Sequence, residues 1–223
     1  MKIIAHIHTD FTSKFGIPRQ SGLVDKLEAT IVFEPEYRNP DALRGIEEYS
    51  HLWLLWQFSE CADKEWTPTV RPPRLGGNKR MGVFATRSPF RPNPVGLSSV
   101  KLIGVEKTTE YGCVLRVAGA DMLDGTPIYD IKPYLPYVDS HPDASNGFAL
   151  DEKDGTLDVE FPDDLLKMIP SSKQKALIAV LSQDPRPGYQ NEPERVYGIE
   201  FASFDVRFKV KNSTLTVIEI IKI

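Results

Sequence analysis

Two cysteines, Cys61 and Cys113, are all that 223 residues contain, and they stand alone, with no CxxC pair and no Cys/His spacing of a zinc site. A chain built this way is expected to fold without disulfides or a structural metal. Long apolar runs are lacking too. Nothing approaches the roughly 18 successive apolar residues of a membrane helix, and the opening MKIIAHIHTDFTSKFG has too short an apolar stretch for a signal peptide; a cytoplasmic protein is the expectation. No GxGxxG, P-loop, GxSxG or HExxH occurs, which removes the fingerprints of dinucleotide binding, phosphate cradling, serine hydrolysis and zinc proteolysis.

Acid is missing from one long stretch. Between Arg71 and Val100 there is no Asp or Glu, while Arg71, Arg74, Lys79, Arg80, Arg87 and Arg91 all fall there. The chain as a whole has 27 basic and 31 acidic residues, so without these six the remainder stands at 21 against 31, a net charge of −10. An acidic average thus conceals a cationic segment that a polyanion would meet first. Its prolines at 72, 73, 89, 92 and 94 fix φ and remove backbone donors. Val83, Phe84, Phe90, Val95 and Leu97 supply apolar side chains to pin it down. Two stiffened loops around a strand at Met81–Thr86 are expected, in contrast to a flexible solvated basic loop. A second acid-free stretch, Thr12 to Val24, carries Pro18, Arg19 and Gln20. There an extended backbone presents a donor fork and an amide, groups suited to carboxylate or purine edges.

The rest of the chain reads mainly as strands. Ile3–Thr9 and Ala29–Phe33 show strand patterns. Asn39 before Pro40 predicts a short helix over Asp41–Glu47. YSHLWLLWQF, from Tyr49 to Phe58, is the most apolar run and is expected to be a central strand, with His51 as a core histidine. Strands are expected at Val95–Val105, Cys113–Ala118 and Ile128–Ile131, with a tight turn at Asp124 and Gly125. His6 and His8 share a face, which permits a metal pair, though no third ligand is near in sequence; no metal site is expected. From about Leu157 the character changes: Ser171 and Gln174 suggest a capping box, and Ala176, Leu177, Val180 and Leu181 share a helix face. Alternation at Phe204–Val210 and Leu215–Ile220 predicts two strands. The sequence therefore predicts a mainly β protein with a small C-terminal α+β appendage, divided as residues 1–143 and 156–223 around a linker at 144–155.

IPRQSGLV, RGIEEYSHLWLLWQFSE, the ribbon RPPRLGGNKRMGVFATRSPFRPNPVGLSSVKL, DGTPIYDIKPYLPYVDS and QDPRPGY together resemble the TsaA-like, or TrmO, family of tRNA methyltransferases, along essentially the whole chain. The resemblance implies a single-sheeted N-terminal β-barrel that binds S-adenosyl-L-methionine. The reaction it implies is methylation of the exocyclic nitrogen of N6-threonylcarbamoyladenosine at position 37 of a threonine tRNA. It also implies a homodimer. Under it, Pro18, Arg19, Gln20, Ser59, Glu60, Arg87, Leu97 and the loop Asp124, Gly125, Thr126, Pro127 bind the cofactor. Arg74, Lys79, Arg80 and Arg91 bind RNA. Arg87 and Arg91 suit either the tRNA backbone or the threonylcarbamoyl carboxylate.

Because the acceptor nitrogen is part of a urea, a proton acceptor is wanted, and Asp124 is the candidate; its other reading is a turn cap. A non-catalytic S-adenosylmethionine- or RNA-binding module, and a scaffold for acidic partners, share the same charge. Only methyl transfer to modified tRNA separates them. The C-terminal region is expected to grip the anticodon arm, so that a chain ending near Gly155 keeps the cofactor and loses tRNA.

Overall fold

The computed structural model describes residues 1–75, 77–148, 156–186 and 192–223. Its first half alternates inward apolar and outward polar side chains on β1 (Ala5–His8), β2 (Glu28–Phe33) and β3 (His51–Gln57). The cationic ribbon follows, with a two-residue ladder between β4 (Thr69–Val70) and β5 (Met81–Gly82). Then come the long β6 (Val95–Thr108), β7 (Gly112–Ala118) and β8 (Thr126–Pro133). Apart from the ribbon pair, these strands join edge to edge in the order β1-β2-β7-β6-β3-β8, all antiparallel, and β8 returns to β1. The sheet closes on itself as the resemblance implied, and six strands leave an interior narrow enough for side chains to fill. Ile7, Ile31, Leu52, Leu54, Leu115 and Ile128 occupy it with no exposed surface.

A short turn of helix, α1 (Pro136–Asp139), caps one side of the barrel through Trp53, whose Nε1 donates to Asp139 Oδ2 at 3.0 Å. The C-terminal module contains β9 (Asp158–Glu160), α2 (Asp163–Leu166), α3 (Ser171–Ser182), β10 (Tyr197–Phe201), β11 (Phe204–Lys211) and β12 (Thr214–Lys222). Its sheet runs β10-β11-β12-β9, with β9 parallel to β12. Ala176, Leu177, Val180 and Leu181 are buried against it, as their spacing predicts. The two parts share a core. Phe11, Val24 and Leu27, from the connection between β1 and β2, belong to the C-terminal cluster, and Phe11 meets Phe201 edge-on at 5.5 Å. Lys173 Nζ reaches Asp10 Oδ2 at 2.6 Å, and the Ala202 amide donates to the Asp10 carbonyl at 2.9 Å. Among the described residues no helix is long and apolar enough to cross a membrane.

Local expectations are corrected at four places. The strand expected over Met81–Thr86 ends at Gly82, and Val83–Ala85 forms a 3-10 turn. Val83 is buried there, and its amide is taken by the Pro68 carbonyl at 3.0 Å, outside any ladder. The helix expected over Asp41–Glu47 is two 3-10 turns, Pro40–Leu43 and Ile46–Glu48, because Gly45 at φ 85° breaks the run between them. His51 is exposed at the edge of β3, bonded to Ser50 Oγ at 2.9 Å, since Leu52, Leu54 and Trp56 take the inward phase. The capping box is absent: Pro170 occupies the N-cap, and Gln174 Nε2 instead donates to the carbonyls of Leu166 and Ile169, each at 3.0 Å.

Candidate functional site

β3 and β6 pair so that Trp56 faces Gly96, and that pairing makes the floor of a cleft of about 760 Å³. A methyl group at position 96 would sit 2.2 Å from the Trp56 ring, so only glycine lets the indole lie flat against β6. Laid there, the indole Nε1 donates to Ser98 Oγ at 3.0 Å, and Ser98 donates to Asp121 Oδ1 at 2.6 Å. Ser98 is 2% exposed, and with Thr126 it makes up the buried polar residues among those described. Both line the cleft. Burial raises the proton affinity of the Asp121 carboxyl above the usual range, while the Ser98 hydroxyl, the backbone amides of Asp121 and Ser21, and the Arg87 charge pull it back.

The walls come from three elements. Residues 17–21 form one, Phe58 and Ser59 at the exit of β3 a second, and Thr86–Arg91 of the ribbon a third. The first and third touch directly, Arg87 Nη1 donating to Gln20 Oε1. Arg91 ties the ribbon to itself: its Nη1 donates to the carbonyl of Thr86 at 2.7 Å and lies 3.4 Å from those of Val83 and Ser88. Its guanidinium also lies over the Phe84 ring at 5.7 Å. The C-terminal module reaches the site through the Arg186 carbonyl, which accepts from Arg19 Nη2 at 3.4 Å.

Of the expected cofactor residues, Pro18, Arg19, Gln20, Ser59, Arg87, Leu97 and Thr126 line this cleft, and so does Arg91. Glu60, Asp124, Gly125 and Pro127 do not. Glu60 turns to an ion pair with Lys14, which itself lines the cleft. Asp124 Oδ1 lies 3.1 Å from His8 Nδ1 and accepts the Thr9 amide at 3.0 Å, so its carboxylate ties a strand end to a turn. Lys79 and Arg80 are exposed on the ribbon, Arg80 donating to Thr69 Oγ1 at 3.2 Å. The side chain of Arg74 lies outside the described residues, as do residues 149–155 of the linker and residues 187–189 of the QDPRPGY motif. His6 and His8 each face a carboxylate of their own, Glu34 and Asp124, and the described residues hold no cluster of three metal-ligating side chains.

Sequence reasoning missed Trp56, Gly96, Ser98 and Asp121 as a group. The available signal is the strand VGLSSV, where Ser98 takes an inward position that apolar residues hold elsewhere on the barrel.

Comparison with known proteins gives a concordant result. The model of the tRNA-methyltransferase O N-terminal domain matches residues 6–140, and that of the TrmO C-terminal domain matches residues 154–223. The chain is 41% identical over 218 residues to the tRNA (adenine(37)-N6)-methyltransferase of Escherichia coli K12, covering 94% of this chain and 92% of that one. It is 41% identical over 213 residues to a Pseudomonas aeruginosa protein named putative S-adenosylmethionine-dependent methyltransferase RcsF, covering 92% and 90%. A crystal structure of TrmO from P. aeruginosa superposes with a TM-score of 0.79 at 35% identity, over 99% of this chain and 95% of that one.

Proposed function

The chain belongs to the tRNA-methyltransferase O family, and from that membership we propose that its cleft joins S-adenosylmethionine to tRNA adenosine 37 and methylates the exocyclic N6, the substrate being the threonylcarbamoylated base of a threonine tRNA. One observation carries this reading for the cleft itself. The cationic ribbon and the Pro18–Gln20 loop meet through Arg87 and Gln20 at one cavity, so a groove for anions and a pocket for a small molecule share a wall. The cavity volume lies in the range of ligand sites, about 300–1,000 Å³. Its donor set fits the cofactor: guanidinium for a carboxylate, amide and hydroxyl for ribose and purine edges, indole and Phe58 for apolar atoms.

In this reading Arg19 takes the methionine carboxylate in a bidentate contact. Gln20, Ser59 and Thr126 orient the nucleoside half, while Leu97 and Pro18 cover it. Glu60, and the Asp124–Pro127 loop behind Thr126, brace this wall. When bound, S-adenosylmethionine supplies a methyl group already made electrophilic by its positive sulfur. What remains for the protein is alignment and the exclusion of water. Trp53, Trp56, Phe58 and Phe90 contribute aromatic surface to the walls, with the two indole N–H groups already taken by Asp139 and Ser98. Lys79 and Arg80 contact phosphates, and Arg87 faces the threonylcarbamoyl carboxylate. Leu97 and Phe90, 57% and 39% exposed beside the cleft, are the surface on which a second copy would pair. We place the enzyme in the cytoplasm with its tRNA.

The test is to incubate the pure protein with S-adenosylmethionine and with tRNA isolated with or without the threonylcarbamoyl group, then weigh the nucleosides. One added methyl, only on the modified nucleoside, is expected. Methylation of neither tRNA overturns the reading, and equal methylation of both removes the threonylcarbamoyl requirement.

A further inference from the structure

Among the described residues Asp121 is the one carboxylate lining the cleft, against Lys14, Arg19, Lys64, Arg87 and Arg91. Its place is built, not incidental. β6 offers a buried hydroxyl at Ser98, the hydroxyl is fixed by the Trp56 indole from β3, and the indole has room only because position 96 lacks a side chain. Two strands thus converge to hold one oxygen of one acid. A carboxylate kept merely to balance neighbouring cations needs no such scaffold. Asp124, three residues on, spends its Oδ1 on His8 and Thr9 and does not line the cavity.

We propose that Asp121 is the proton acceptor of the methyl transfer, held in line by the Trp56–Ser98 hydrogen-bond chain. The inference rests on the methyltransferase reading above and deepens it. N6 of a threonylcarbamoylated adenosine is a weak nucleophile, because its lone pair is shared with the urea carbonyl and the purine. Removing its proton as the bond forms restores that pair. The accounting closes: the N6 lone pair forms the new N–C bond, the C–S pair returns to sulfur to leave the thioether, and the N–H proton passes to the Asp121 carboxylate, which later yields it to water. No further reactant is needed.

The surroundings suit the task. Burial raises this carboxyl's proton affinity above that of an ordinary aspartate, and the opposing pulls of Ser98, the Ser21 and Asp121 amides and Arg87 keep it from rising further. A carboxylate so placed is a stronger base than one in water while still able to ionise, which is what proton transfer near neutral pH requires. The other charged groups lining the cleft among the described residues, named above, are all cationic, and of these Arg87 favours the ionised form.

Asp121→Asn and Ser98→Ala, each in the full-length chain, test this. With threonylcarbamoylated tRNA at saturating donor, Asp121→Asn is expected to lower single-turnover transfer by about 10²–10³-fold. Donor affinity by calorimetry and tRNA affinity by filter binding should be retained. The wild-type rate should climb with pH through the Asp121 titration, and Asp121→Asn should lose that limb. Ser98→Ala removes a hydrogen bond that favours the carboxylate, so the limb should move to higher pH, a shift a purely structural serine would not produce. Wild-type speed in Asp121→Asn overturns the proposal. So does a loss of donor affinity with the saturated rate intact, which would make Asp121 a donor-binding group, and so does an unmoved limb in Ser98→Ala. If the wild-type chain methylates no tRNA at all, the methyltransferase reading falls and this inference with it.

Discussion

Gly96 has no room for a methyl group, because the Trp56 ring occupies the space where one would go. Gly96→Ala should therefore push the indole off β6 and break its bond to Ser98. Overpacking of this kind costs about 1–3 kcal/mol, to be read as a lower denaturation midpoint with altered tryptophan fluorescence. Asp121 carries a second prediction of opposite sign. Its folded proton affinity is raised by burial, so ionising it disfavours the fold. The stability it contributes is full at pH below the ordinary carboxylate range and is lost as pH rises through its folded value. Asp121→Asn should accordingly melt higher than wild type at neutral pH, with the gap closing on acidification; thermal melts across pH 4–8 check this, and a constant gap would contradict it. At this scale the sequence was partly legible. Arg19, Gln20 and Arg87 stood out because charge and amide groups sit beside prolines. Ser98 did not, and although Asp121, Asp124 and Asp130 are visible as carboxylates close in sequence to the basic segment, nothing in a one-dimensional string marks which of them is buried. Only the register of β6 against β3 sets Ser98 beneath the indole.

The ribbon shows what an element needs beyond its charge. Its basic residues divide into two kinds. Lys79 and Arg80 are exposed, whereas Arg91 spends its Nη1 on backbone carbonyls that no ladder satisfies. Lys79→Ala and Arg80→Ala should each weaken tRNA binding and reduce the slope of log affinity against log salt by about 1, measured by filter binding across salt. Arg91→Ala should act differently. The 3-10 turn at Val83–Ala85 loses its clamp, amide exchange across residues 83–91 accelerates, and transfer falls even at saturating tRNA. Equal effects of all three substitutions on the salt slope would refute the division. Strand content here was overestimated for a physical reason. Val, Phe and Thr in VFAT favour strands, yet with prolines on both sides no partner edge is available, and the carbonyls turn to a guanidinium instead. The barrel strands were easier to read, since their two-residue alternation is imposed by the closed sheet itself. α3 was legible from its apolar face, but its start was not, because Pro170 displaces the expected serine cap.

For the molecule as a whole, the division expected near residues 144–155 is not a clean cut. Phe11, Val24 and Leu27 leave the barrel after β1 and bury themselves in the C-terminal core, 1%, 2% and 4% exposed. The Pro18–Gln20 loop is strung between them. The C-terminal module thus holds the loop proposed to bind the cofactor, a role beyond the grip on the anticodon arm expected of it from the sequence. No local pattern announced this, since an apolar residue in a polar loop does not say which distant sheet it will join. A chain ended at residue 155 would uncover all three side chains, at about 1.5–3 kcal/mol for each fully buried one, and should lose donor binding along with tRNA. The gentler probe is Phe11→Ala, which removes the ring facing Phe201 and should cost about 3–5 kcal/mol, a large part of the 5–15 kcal/mol of a typical domain. If the two halves fold as one unit, urea denaturation followed by tryptophan fluorescence, which reports the barrel through Trp53 and Trp56, and by amide exchange at β11, which reports the C-terminal sheet, should show both shifting together. An unmoved barrel transition beside a weakened C-terminal one would show instead that the shared core transmits nothing, and donor affinity would then survive the substitution.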